Sequence, residues 1–368
     1  MNSSFEEKNL IKVRQICFIY LAFTPVIKLL TMPSYIAEVS FEGLLLSFLI
    51  GCAVDALLLI IILNLSSGQR NATLYNDFNK NYGSIPTKII FLILTVYYIA
   101  RSVYPIFEHK LYVETTLYEM MPERITFYVF FIFSTFLSLK GLKILGRSAD
   151  IAVWLTLVGL ALALSLSVGS ADYSNLLPLI PRDLAPVLKG AFRSGVWGFD
   201  SLYMPLMLGH FRAEKAYKTK ITLSFIGGNL LVALVIATFY GIYGAVASGQ
   251  NFALADMSVF SVIVTNIGRF DFVSVFLLLF AQIFAIAMPL QFATKSLERV
   301  LQTKNSTIPA VIVNGLLLLA TAFFGRQTYN TLSLSVSVGV YAFIAVSAIM
   351  LGAMLFIKRN NRNEVFEK

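Results

Sequence analysis

Apolar stretches long enough to cross a bilayer recur from one end of this chain to the other, and that recurrence decides its class before any motif is considered. A run of about 18 or more apolar residues spans the roughly 30 Å hydrocarbon core as a helix. Read between polar breaks, the runs fall near 13–38, 41–64, 86–110, 125–140, 145–169, 185–211, 217–247, 258–294, 307–325 and 330–357. With only 13% charged residues in 368, a soluble domain could not cover its surface with polar groups. The sequence therefore predicts an all-α integral membrane protein of about ten transmembrane helices. Nine or eleven remain open, because 125–140 is short and the segment before Asp271 has room for a re-entrant helix.

The basic residues test that layout. With the N-terminus on the cytoplasmic side, six of the 29 Lys and Arg reach the opposite face: Lys110, Arg124, Arg182, Lys189, Arg269 and Arg326. Lys28, Arg101 and Arg193 lie within spans, and the other 20 are cytoplasmic. Basic residues concentrate on the cytoplasmic side of membrane proteins, so both termini are expected there. The net charge of +9 then faces anionic lipid and calls for no nucleic acid. Cys17 and Cys52 both sit in apolar runs and read as small buried hydrophobes. The first span lacks a small-residue cleavage site after a short apolar core, so it is expected to be retained.

The chain divides into a cytoplasmic N-terminus (1–12), five spans (13–169), an extracytoplasmic Pro-containing linker (170–184), five more spans (185–357) and a basic cytoplasmic tail (358–368). Five spans per half place the halves in opposite orientations, the condition for an inverted repeat. The first span of each half carries helix-breaking residues around a charge. In the first half this is FTPVIKLLTMP (Phe23 to Pro33) around Lys28, and in the second RSGVWGFDSLYMP (Arg193 to Pro205) around Asp200. Backbone groups freed at such breaks cannot face lipid and must turn to protein, a cavity or a ligand. Paired interruptions in the two halves are the sequence mark of a midplane site.

Other intramembrane polar residues add to the candidate site. Asp55 lies deep in the second span, where an isolated charge costs roughly 2.5–3.5 kcal/mol. Lys28 and Asp55 either pair with each other or serve a ligand or proton. Tyr97, Arg101, Tyr104 and Glu108 share one face of the third span. They either line a cavity or, if Arg101 snorkels, form an interfacial belt. Gln282, Pro289 and Gln291 mark the eighth span. The candidate ligand-binding set is Thr24, Pro25, Lys28, Tyr97, Arg101, Ser194, Gly195, Gly198, Phe199, Asp200 and Gln282, with Asp55 and Asp200 as candidate ion or proton sites. Phosphate-loop, zinc-protease and Cys/His metal patterns are missing from the sequence, and His109 and His210 are its two imidazoles. No enzyme activity, cofactor or metal is expected.

Four stretches carry a family resemblance. They are ATLYNDFNKNYGSIPTKII (72–90), SNLLPLIPRDLAPVLKGA (174–191), SGVWGFDSLYMP (194–205) and Arg269-Phe270-Asp271. The chain resembles the spore germination permease family, the B subunits of GerAB-type nutrient germinant receptors of endospore-forming bacteria, within the amino acid/polyamine/organocation transporter superfamily. Two features depart from the family pattern: no glycine lies between Pro25 and Pro33, and Asp200 stands where glutamate is commoner. The resemblance implies a LeuT-like five-plus-five fold in the spore inner membrane. It implies a subunit that binds a small nutrient, often an amino acid, between its broken first and sixth helices and signals with A-type and C-type subunits. In that picture the free N–H groups at the breaks bind the ligand's carboxylate, and Asp200 or loose carbonyls receive its amine. Lys28 is then an internal cation or an extra anchor. A secondary amino acid transporter coupled to protons or sodium is the competing function, and a non-transporting scaffold the third.

Overall fold

A computed structural model describes residues 10–66, 73–112, 131–132, 135–259, 271–303, 305–324 and 328–366. Most of the expected fourth span (125–140), the start of the eighth, and Arg269 and Phe270 lie outside the described residues. The described residues are helical throughout, apart from turns, linkers and one isolated bridge between Ile11 and Phe211. In order, the helices are α1 (Val13–Lys28), α2 (Met32–Ser40), α3 (Leu44–Leu65), α4 (Leu74–Tyr82), α5 (Ser84–Tyr112), α6 (Leu142–Ser167), α7 (Ala185–Ser194), α8 (Met204–Met207), α9 (Tyr217–Tyr243), α10 (Ala253–Val259), α11 (Asp271–Leu301), α12 (Thr307–Phe324) and α13 (Thr328–Phe366).

Among the described residues, six segments are long and apolar enough to cross a membrane: Met32–Leu65, Ser84–Tyr112, Leu142–Ser170, Tyr217–Gly249, Phe276–Leu301 and Val338–Asn360. The first and sixth expected spans are not among them because each is cut in two. The 16 residues of α1 and the 10 of α7 are each shorter than a full crossing. Both cuts fall inside the expected stretches, with their edges moved. Helix α1 continues through Pro25 to Lys28, and the chain leaves helical geometry at Leu29–Thr31. Pro33 then sits in the first turn of α2, where its missing N–H takes nothing from the hydrogen-bond ladder. The second cut, Gly195–Phe199, ends on Phe199 in the left-handed region (φ 59°), and a 3-10 turn, Asp200–Tyr203, leads into α8.

The two interrupted segments run antiparallel. The amide of Ile11, just before α1, donates to the carbonyl of His210, just after α8, at 2.9 Å. At the other end, Arg193 of α7 reaches the carbonyl of Tyr35 (3.2 Å) and the carboxylate of Glu38 (2.6 Å) on α2. Helix α9 packs along α1, α3 packs against α7 and α9, and α11 fills the space between α5 and α6. The α1–α9 contact is tight at Gly228, where a Cβ would lie 3.0 Å from the Tyr20 carbonyl oxygen. Outward faces carry exposed Leu57, Ile61, Val96, Trp154 and Leu234, as lipid-facing helices require.

Candidate functional site

The charged residues of the interrupted segments meet. The Lys28 ammonium lies 2.8 Å from Oδ2 of Asp200, and the Arg101 guanidinium 2.7 Å from Oδ1 of the same carboxylate. All three side chains are almost fully buried. Lys28 also donates to Oδ1 of Asn229 on α9 (2.9 Å). The Asn229 amide is in turn fixed by donating to the Phe225 carbonyl (3.0 Å). Arg101 donates a second bond, 2.5 Å, to the Val196 carbonyl inside the break. Arg101 therefore donates to Asp200 and to a backbone carbonyl, while Lys28 lies in ion-pair contact with Asp200 and donates to Asn229. Each cation thus has a neutral acceptor beside its charged partner, which helps a buried ion pair offset its desolvation.

Asp55 does a different job. Its carboxylate accepts the backbone N–H of Asp200 (2.9 Å) and of Ser201 (3.3 Å), and the Ser201 hydroxyl (2.5 Å). It thus caps the turn that starts α8, where freed N–H groups favour a negative charge. Lys28 and Asp55 do not form the direct pair that stood as one alternative. Lys28 instead bonds to Asp200 and Asn229, while Asp55 caps the second break. The four charges cancel, two positive and two negative.

The third-span stripe closes around the same break. The Tyr97 hydroxyl donates to the Phe199 carbonyl (3.2 Å), and Tyr104 packs edge-on against Trp197 with ring centroids 5.0 Å apart. Glu108 accepts the Trp197 indole N–H at 3.0 Å, and the Thr31 hydroxyl donates to the same carboxylate oxygen. Arg101 is 4% exposed, so it does not snorkel to an interface. The stripe faces the site.

A family model described as spore germination protein matches residues 10–357. The chain belongs to that family. No curated protein matches it. Within this germination-family chain, the expected site residues differ in what they touch. Lys28, Arg101, Asp200 and Asp55 form the charged network, and Tyr97, Gly198 and Phe199 shape the second break. Gln282 serves the first break, donating to the Val26 carbonyl at 2.9 Å. Thr24 and Pro25 are buried within α1, Thr24 against Gly228, and Ser194 turns back to its own helix by donating to Ala191 O at 2.7 Å. Gly195 lies against Val340 of α13.

The groups expected to meet a ligand's charges are engaged within the protein. The N–H groups opened at the second break donate to Asp55, and the Asp200 carboxylate holds Lys28 and Arg101. Sequence reasoning missed Asn229, Ser201, Trp197, Thr31 and Cys52. Asn229 had a signal, as the one Asn in α9, directly after Gly227-Gly228. Cys52, read as a buried hydrophobe, is only partly buried and lies 3.1 Å from Asn229 Oδ1.

Proposed function

We propose that this chain is the B-type subunit of a nutrient germinant receptor. It binds a small nutrient beside the breaks of its first and sixth spans and signals through A-type and C-type partners in the spore inner membrane. In this reading ten spans form two five-helix halves in a LeuT-like inverted repeat, with both termini cytoplasmic. Family membership supports the germination role. The observation that carries the binding role is the meeting of two antiparallel interrupted helices on one buried network, Lys28–Asp200–Arg101. Such a centre has two packings available, breaks together or breaks parted, and a ligand that fits one better shifts the population toward it. Lys28 acts as an internal cation, held where a coupling ion would otherwise neutralise Asp200.

Spores lacking the gene are expected to lose germination in response to one nutrient class and to regain it on complementation. Unchanged germination with every nutrient would end the reading. The transporter alternative requires labelled amino acid uptake into vesicles that Asp200→Asn abolishes. Absence of uptake alongside restored germination favours the sensor.

A further inference from the structure

Beside Arg101 lies a cavity of about 280 Å³, bounded by α5, the second break and α13. Its walls include Tyr104, Val196, Trp197, Gly339 and Phe343, and exposed Ala100 and Val338 stand at its rim. Arg101 is the single charged residue in that lining. Its guanidinium packs over the Phe343 ring at 5.6 Å from the centroid. Two of its nitrogens bond to Val196 O and Asp200, while its buried Nε–H has no hydrogen-bond partner among the described residues. An unspent donor in an apolar cavity of this size is what a ligand site offers.

The adjoining network restricts what that ligand can be. The positions that an amino acid's ammonium and carboxylate would take at the second break are filled by the protein's own Lys28 and Asp55. Their charges and those of Arg101 and Asp200 already sum to zero. Glu108 gives one oxygen to Thr31 and Trp197, its other oxygen has no hydrogen-bond partner among the described residues, and it does not line the cavity. A charged ligand group in the cavity would meet no unpaired counter-charge in its lining, where Arg101 is already paired with Asp200, a costly placement in a low-dielectric site.

We infer that the ligand of this site is a small uncharged molecule, with an apolar body against Trp197, Tyr104 and Phe343 and one acceptor oxygen on Arg101 Nε–H. The inference rests on the receptor reading and narrows its ligand class. Under it, a zwitterionic amino acid is excluded, because the protein carries an internal stand-in for each of its charged groups.

The test uses the purified full chain in detergent. Trp154, 62% exposed on the outer face of α6, is replaced (Trp154→Phe) so that Trp197 is the sole indole. Four probes share a phenyl body: 3-phenylpropanamide, 3-phenylpropanoate, 2-phenylethylamine and phenylalanine. The amide is expected to shift Trp197 emission saturably, at least tenfold tighter than the three charged probes. Arg101→Lys, which keeps the charge but removes Nε–H, is expected to weaken it at least tenfold. Should that variant misfold, Gly339→Leu serves instead. Gly339 lines the cavity, and the nearest atom to a Cβ there is Val196 Cγ2 at 3.7 Å, an ordinary contact, so a larger side chain can start from this position. Its expected effect is also a tenfold loss or more. Tightest binding by phenylalanine, amide binding indifferent to Gly339→Leu, or no saturable change with any probe would each overturn the inference. Spores separate this failure from that of the receptor reading. If gene deletion abolishes a response to a charged amino acid and Gly339→Leu leaves that response intact, the receptor reading survives and the ligand class falls. If deletion changes no nutrient response, the receptor reading falls, whatever the purified chain binds.

Discussion

The two helix interruptions solve one problem with different chemistry. At the first, Leu29–Thr31, freed carbonyls take neutral donors: Gln282 serves Val26 O, and the Ala253 amide serves Leu30 O at 2.9 Å. At the second, Gly195–Phe199, charged side chains from other helices take over: Arg101 on Val196 O, and Asp55 on the N–H groups of residues 200 and 201. A neutral bond contributes about 0.5–1.5 kcal/mol net, and one to a charged group about 1.5–3 kcal/mol. The carbonyls of the first break are therefore held by neutral bonds, with the Thr31 hydroxyl also donating to the Glu108 carboxylate. The second is held open by electrostatics, and a change of charge there has the greater leverage.

Substitutions at the two breaks turn that contrast into measurements. Asp200→Ala strands Lys28 and Arg101 without their shared carboxylate and is expected to destabilise by about 3–5 kcal/mol, the cost of breaking a buried pair from one side. A thermal melt of the detergent-solubilised protein reads it, and a midpoint close to the parent's would show that the charges are solvated. Asp55→Asn keeps the shape but replaces a charged acceptor with a neutral amide, for an expected loss of about 1.5–3 kcal/mol. At the first break, Gln282→Leu removes one neutral donor and should cost only about 1 kcal/mol. A larger loss than with Asp55→Asn would invert the proposed ranking.

The smallest expected effect lies in the linker before the second interrupted segment. Asp172, outside the membrane, accepts the Ser174 N–H at 2.9 Å, and its hydrogen bonds to Ser174 hold its carboxyl below the usual carboxylate range. With the folded value depressed, its contribution is present above the unfolded pKa of about 3.9 and is lost as pH falls through the folded value. Amide exchange around Tyr173–Leu176 should rise over that acid range, and Asp172→Asn should remove the dependence. A rise that persists in the variant would assign it to another group.

Much of this contrast was legible in the residues. The positions of the breaks followed from Pro33, Gly195 and Gly198, because local backbone chemistry writes itself into sequence. The stripe Tyr97-Arg101-Tyr104-Glu108 was legible for the same reason, since helical spacing fixes its common face. The partners were not. That Lys28 selects Asp200 over Asp55 depends on how α1, α3 and the second break cross, and no spacing within one helix encodes that crossing. Pro25 misled in the other direction: it reads as a breaker, yet α1 carries it within continuous helix. Lone polar residues such as Asn229 and Thr31 acquire meaning only from what the packing sets across from them.

Glu108 makes one further demand on any motion at this centre. One of its oxygens receives the Thr31 hydroxyl from the first break and the Trp197 indole from the second. Parting the breaks leaves at least one of those donors facing hydrocarbon unless water or another acceptor arrives in the same step. Glu108 thus ties the two breaks to a single oxygen, so that a displacement of either is felt at the other.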